Sequence, residues 1–270
     1  MFQDISPHIF DNQYNQRNQK PGDIGIFAKD DKILCNVENG ILHLPLLNES
    51  NLSSATRFLF SIDDIQFFLI NSRNDYPEYT MMSYREIFTL SPDWVVFGSL
   101  TALRLATWYE ENQFCGKCGN RLEHSEQERM MFCPRCGNQI YPRISPAVIV
   151  AVRDGERLLL TKYAHGYSHY ALVAGFAESG ETIEETVKRE VYEETGLHVK
   201  NISYFGSQPW PHSGSLLFGF YCDLDGDNHI TLQESELSVG VWIERLSLPV
   251  QQNTLSLTST LIESFRNGTI

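Results

Sequence analysis

Residues 175–197, GFAESGETIEETVKREVYEETGL, limit what this chain can fold into more than any other stretch. Thr182 with Glu185 three positions on forms a capping box, and Gly196 supplies a left-handed stop, so the spacing predicts a helix with both ends marked. At ~100° per residue, Ile183, Val187 and Val191 share one stripe, the side that faces a core. Glu190 and Glu194 fall in or beside that stripe, and Glu193 flanks it. Burying a carboxylate is costly unless it is paired or bound to metal. The i, i+3, i+4 spacing puts all three within reach of one small group of hard cations. A solvated acidic face accounts for Glu184 and Glu185, which point elsewhere, but not for Glu190 and Glu194.

Gly175, Glu181, Arg189, Glu190, Val191, Glu193, Glu194, Gly196 and Leu197 fill every fixed position of G-x5-E-x7-R-E-U-x-E-E-x-G-U, U being a bulky apolar residue. This is the Nudix box, and the chain resembles the Nudix hydrolases. The resemblance implies cleavage of a nucleoside diphosphate linked to another group, with Mg²⁺ or Mn²⁺ held by Glu190, Glu193 and Glu194. It implies an ion pair of Glu181 with Arg189 that holds the loop against the helix.

A second constraint lies upstream. Cys115-Gly116-Lys117-Cys118 and Cys133-Pro134-Arg135-Cys136, each followed by a glycine, are two CxxC knuckles across a hairpin-length insert. They predict a four-thiolate zinc ribbon, tetrahedral and closed, whose Zn²⁺ serves folding. A redox CxxC explains one pair but not two with matching glycines. The remaining thiols, Cys35 and Cys222, are spare, which suits a metal site in a reducing compartment better than a disulfide framework. Residues 1–8 lack the basic start and apolar run of a signal peptide, and no stretch is apolar for long enough to span a bilayer. A soluble cytoplasmic protein with no membrane partner is the expectation. The net charge of −13 argues against a broad electrostatic grip on nucleic acid, so an RNA would be held by its end.

Along the chain, residues 1 to about 20 are polar and rich in Gln and Asn, read as a loosely held lead-in. Residues 58–62 and 65–70 flank Asp63-Asp64 as a hairpin, and a helix is expected from about Ser91–Asp93 through Tyr109. Residues 1–110 thus form a mostly β N-terminal domain closed by a helix, residues 111–140 the ribbon, and residues 141–270 the Nudix domain. In the last, strands are expected at 147–152 and 157–162 (joined through Asp154-Gly155), 199–205, 216–222 and 239–243, with a closing helix near 255–265. The fold class is α+β, an α/β/α sandwich behind a zinc ribbon and the N-terminal domain.

Ser207-Gln208-Pro209-Trp210-Pro211 resembles the S-Q-P-W-P-F-P array of the NADH pyrophosphatases within the Nudix superfamily, which also carry a four-cysteine ribbon. His212-Ser213 stand where that array has Phe-Pro. The resemblance implies hydrolysis of NAD(H) to nicotinamide mononucleotide and AMP, and removal of NAD caps from RNA 5′ ends to leave a monophosphate. Glu194 or Glu193 would take the proton of the attacking water. Glu236 and the Ala174 carbonyl would add metal ligands, and Phe176 and Trp210 would sandwich the nicotinamide. Substrate would be lined by Ser207, Gln208, Pro209, Pro211, His212, Ser213, Gly214 and Ser215. Tyr141, Glu128, Arg85 and Thr258 align with further substrate contacts, and a homodimer with a shared site is implied. Trp210 alone could be a core aromatic, but prolines on both sides predict a stiff loop that interrupts a strand. The alternatives are a broader dinucleotide or ADP-ribose pyrophosphatase, or a nucleotide sensor, which a complete box disfavours.

Overall fold

The strand Ser145–Asp154 explains its own composition. Val148, Val150 and Val152 face one apolar cluster, while Ile149 and Ala151 face another. A strand covered on both faces reads as a continuous apolar run instead of an alternating one. It is central to a six-stranded sheet in the order Val199–Trp210, Ser215–Leu224, Ser145–Asp154, Arg157–Tyr163, Leu237–Glu244, with Val173–Phe176 also paired to it. Ser145–Asp154 and Ser215–Leu224 run parallel; the other pairs are antiparallel. The helix Ile183–Thr195 covers one face through Val187 and Val191, and the helix Leu257–Arg266 covers the other through Leu257, Leu261, Ile262 and Phe265. The result is the expected α/β/α sandwich.

This computed structural model describes residues 1–15, 17–73, 76–166, 169–251 and 255–270. The chain divides into two units, one of Gln3–Arg143 and the other of Ile144–Ile270 together with Met1–Phe2. The first holds a four-stranded sheet around the predicted hairpin Ala55–Ile62/Ile65–Ile70, and a second sheet that pairs Lys32–Glu38 with Thr80–Ser83. Its helix Asp93–Glu111 buries residues on all sides, including Val96, Leu100, Leu103 and Trp108. The ribbon strands Glu123–His124, Met131–Phe132 and Gln139–Ile140 belong to this unit. No helix among the described residues is long and apolar enough to cross a membrane.

Three expectations need correction. The lead-in is not loose: Phe2 and Ile5 are buried, Phe10–Asp11 pairs with Ser61–Ile62, and Phe10 packs edge-on against Phe60 and Phe97. A few apolar residues spaced through a polar stretch are enough to anchor it. The hairpin turn is Gly155-Glu156, because Asp154 pairs with Arg157 and stays in the strand. The array does not interrupt a strand; Ser207–Trp210 ends one, in register with Ser215–Phe218. Pro209 is tolerated there because Val199–Trp210 is the edge of the sheet, where a missing N–H costs no ladder bond.

Candidate active site

The box helix begins and ends as its residues require. The Thr182 hydroxyl accepts from the Glu185 N–H at 3.2 Å, and the Glu185 carboxylate accepts from the Thr182 N–H at 2.8 Å. Gly196 closes the helix at φ 71° with its N–H on the Tyr192 carbonyl. Beyond it, the Thr231 and Gln233 N–H groups donate to the carbonyls of Thr195 and Glu194, at 2.9 and 3.0 Å. Those two bonds dock the segment that carries Glu236 onto the end of the helix. The approach of Glu236 to the box has no local sequence signature.

Glu194 is 2% exposed. Burial, then the charges of Glu190 and Glu236, push its carboxyl up to about 8, against a backbone hydrogen bond from Ala174. Burial also holds Glu190 above the usual carboxylate range despite Arg189 at 2.7 Å. Glu193 is the open member, 52% exposed at its side chain, with Arg189 at 3.0 Å. Arg189 additionally grips Glu181 through Nε at 2.5 Å and Nη2 at 2.9 Å, and donates to the Phe176 carbonyl at 2.9 Å. These hydrogen bonds bring the Glu181 carboxyl down to about 2. Glu181 in turn accepts from the Glu178 N–H and the Thr186 hydroxyl, so the loop before the helix is tied to it.

Gly175 has a reason that its place in the motif does not disclose. A Cβ there would lie 1.9 Å from the Glu190 carboxyl carbon, so the glycine is the cradle in which that carboxylate rests. This donor set suits a hard divalent cation: carboxylates close enough to raise one another, with Glu194 buried among them. Among the described residues, only the four thiols have all ligand atoms within 4.8 Å of one another. The carboxylates stand further apart, with Arg189 among them.

The thiol set is already gathered. Cys115 and Cys136 sulfurs are 3.7 Å apart, and Cys118 and Cys133 sulfurs 3.5 Å. Four ligands at about 2.3 Å in a tetrahedron require edges of about 3.8 Å, so the cysteines fit zinc. The two knuckles repeat one another: the Gly119 and Gly137 N–H groups bond the carbonyls of Cys115 and Cys133, at 2.8 and 2.9 Å. Asn138 donates to the Cys115 sulfur at 3.7 Å.

The predicted substrate residues fall in two groups. Phe176, Ala147, Leu217 and Gln208 form one row across the sheet, so Phe176 and the array lie three strand spacings apart, about 14 Å. Ala174 and Leu217 pack on the cluster of the C-terminal helix, and alternate residues of a strand share a face. Phe176 therefore lies on the face that this helix covers. Gln208 reaches the same helix, so Trp210 shares that face too, and Thr258 stands in the helix's first turn. Pro211, His212, Ser213 and Gly214 form the turn after Trp210, closed by the Gly214 N–H on the Trp210 carbonyl at 3.0 Å and by Ser213 Oγ against Ser215 Oγ at 2.7 Å. Gln208 is fully buried: Nε2 donates to the Leu255 carbonyl at 2.8 Å and Oε1 accepts the Leu257 N–H at 2.7 Å. Its amide is engaged with backbone and ties the array to the helix. Arg85, Glu128 and Tyr141 belong to the other unit, where Tyr141 donates to Glu128 at 2.6 Å and the Arg85 guanidinium lies over the Tyr84 ring.

Residues 143–259 match the NUDIX domain, and residues 110–141 match the NADH pyrophosphatase zinc ribbon domain. The protein named NAD-capped RNA hydrolase NudC from Haemophilus influenzae (strain ATCC 51907 / DSM 11121 / KW20 / Rd) is 47% identical over 135 residues, 48% of this chain and 51% of its own. The protein of that name from Pseudomonas fluorescens (strain Pf0-1) is 38% identical over 180 residues, 66% of this chain and 65% of its own. The chain spans about half the length of the Haemophilus relatives that it matches. A crystal structure of a NUDIX hydrolase from Nitrosomonas europaea aligns over 58% of this chain and 93% of its own, at 23% identity and a TM-score of 0.48. With a complete box on a capped helix and a ribbon of the NADH pyrophosphatase type before it, residues 143–259 form a domain of the Nudix family.

Proposed function

We propose that this protein hydrolyses the pyrophosphate bond of NAD(H) to nicotinamide mononucleotide and AMP, and removes NAD caps from RNA 5′ ends to leave a monophosphate. The observation that carries the reading is the pairing of two features at one sheet: the buried Glu194 beside Glu190 and Glu236, and Trp210 sharing a face with Phe176. Relatives named NAD-capped RNA hydrolase support it.

Glu190, Glu193, Glu194, Glu236 and the Ala174 carbonyl would hold Mg²⁺ or Mn²⁺. Bound there, the cation supplies positive charge that offsets the pyrophosphate and acidifies water. With the cation bound, Glu194 would be held ionised and would accept the proton of the attacking water, with the exposed Glu193 as its alternative. Arg189 fixes the orientation of Glu190 and Glu181. Phe176 and Trp210 bracket the nicotinamide, while the turn 211–214 and Ser215 border it. Gln208 acts from behind, by fixing the strand that carries Trp210. Zn²⁺ on the four cysteines holds the ribbon. The acidic chain would take only the 5′ end of an RNA. Six cysteines without a disulfide suit the cytoplasm, and the resemblance supports a homodimer with a shared site, to which Tyr141, Glu128, Arg85 and Thr258 would contribute substrate contacts.

A broader dinucleotide or ADP-ribose pyrophosphatase is the second reading, favoured by His212-Ser213 in place of Phe-Pro. The deciding measurement is product analysis on NADH and ADP-ribose with and without Mg²⁺, repeated with Trp210→Ala. Base–aromatic stacking is worth ~1–3 kcal/mol, so the variant should lose about one to two decades in kcat/KM on NADH and much less on ADP-ribose. Equal losses on both would leave the second reading standing.

A further inference from the structure

Trp210 closes an edge strand and is followed at once by a turn. A ring in that position has a paired strand on one side only, so something else must restrict it if it is to serve as a fixed platform. The first residues of the chain are in place to do so. Phe2 is buried, and its ring meets Trp210 edge-to-face, with centroids 6.5 Å apart and planes at 80°. Its backbone is held as well: the Phe2 N–H donates to the Leu255 carbonyl at 3.0 Å. That carbonyl also accepts from Gln208 Nε2 at 2.8 Å, two residues before Trp210. Met1 packs on the cluster of the C-terminal helix. One carbonyl oxygen thus joins the first residues, the array and the lead into the last helix.

We infer that Phe2 is a positioning residue for Trp210, and through it a determinant of selectivity for nicotinamide dinucleotides. The inference rests on the reading above that Trp210 stacks on nicotinamide. An aromatic held in its bound orientation spares the substrate the cost of ordering it. An edge-to-face aromatic pair contributes about twofold to tenfold in an equilibrium constant. The reacting phosphates sit at the carboxylates and do not depend on Phe2, so its contribution is to binding and falls on KM, with kcat little changed. ADP-ribose, which lacks the ring, is indifferent to it.

The test uses the full chain with any affinity tag at the C-terminal side, so that nothing is joined ahead of Met1. Phe2→Ala, Phe2→Tyr, Trp210→Ala and the Phe2→Ala/Trp210→Ala double variant are compared on NADH and on ADP-ribose. Phe2→Ala should raise KM for NADH about threefold to tenfold with kcat nearly constant, and change ADP-ribose hydrolysis less than about twofold. Phe2→Tyr, which keeps the ring, should behave as the unaltered protein. The double variant should be no worse on NADH than Trp210→Ala alone, because Phe2 acts only through that ring. A loss shared equally by both substrates, or additive losses in the double variant, would overturn the inference and leave Phe2 as packing. If Trp210→Ala itself spares NADH, the nicotinamide reading falls first. If Trp210→Ala loses NADH activity and Phe2→Ala does not, only the role of Phe2 falls.

Discussion

The four thiols and the carboxylates proposed to hold the catalytic cation are built on opposite terms. The four thiols of the ribbon stand at the separations that a tetrahedral ion needs, fixed by two repeated backbone knuckles. The carboxylates of the box share one helix but are not gathered, and a guanidinium stands among them. A set closed on all sides retains its ion and gives its binding energy to folding. A set with an open, exposed member and an internal counter-charge can exchange its ion with solvent and admit a substrate. On the proposed reading, that difference in geometry separates a structural metal from a working one.

The sharpest way to break that contrast is at the ribbon. Cys118→Ser should lose zinc and much of the stability of the Gln3–Arg143 unit together, the largest effect expected anywhere in the chain, because zinc binding in such sites is worth roughly 10 kcal/mol or more. Metal analysis and thermal unfolding of the purified variant would show it; an equally stable, zinc-free variant would mean that the thiols do not anchor the fold. At the other site, Glu194→Gln should leave folding intact and remove on the order of several kcal/mol of transition-state stabilisation, a loss of about a thousandfold in kcat. A variant that turns over NADH at near the unaltered rate in excess Mg²⁺ would remove Glu194 from the chemistry.

A smaller effect should follow at Gly175. The added methyl of Gly175→Ala meets the Glu190 carboxylate head-on and must displace it. Activity should fall about tenfold to a hundredfold, with the Mg²⁺ requirement moved to higher concentration, since a misplaced ligand weakens a site without abolishing it. An unchanged Mg²⁺ titration would show that Glu190 has room to relocate.

The smallest effect distinguishes the two sets by pH. Glu194 holds its proton up to about 8 in the folded chain and lets go near 4.5 in the unfolded one. Between those values the unfolded chain has lost a proton that the folded chain keeps, so stability falls as pH rises from about 5 to about 8 and then levels. Without added Mg²⁺, the melting temperature of the Ile144–Ile270 unit should decline over that window, and added Mg²⁺ should restore more at about pH 8 than at about pH 6. In Glu194→Gln the slope should shrink. A slope of the same size in the variant would assign it to another group.

Much of this is legible in the amino-acid sequence alone. The capping box, the Gly196 stop and the stripe of Val187 and Val191 are local patterns, and the helix follows them. So are the knuckle spacings and the hairpin around Asp63, which takes φ 52° in the turn. What escapes a local reading is set by distant partners. Whether Pro209 breaks a strand or ends one depends on which side of the sheet it faces, and that side is open because no strand among the described residues pairs beyond it. The Gln208 amide is indistinguishable in sequence from one aimed at a ligand; its partners, Leu255 and Leu257, lie almost fifty residues on. The polar composition of the first twenty residues conceals the few apolar side chains that anchor them.

The bond from Phe2 to Leu255 also orders events during synthesis. Phe2 precedes the Gln3–Arg143 unit in the chain, yet its acceptor follows only after that whole unit and every strand of the central six-stranded sheet have been made. Domains fold as units, the N-terminal one first, at the pace of translation. The ribbon and its neighbours can therefore be complete while Phe2 still waits for a partner. The contact of Phe2 with the Leu255 carbonyl, and so with the strand that carries Trp210, is completed only once residue 255 has been made, after the box helix and its carboxylates.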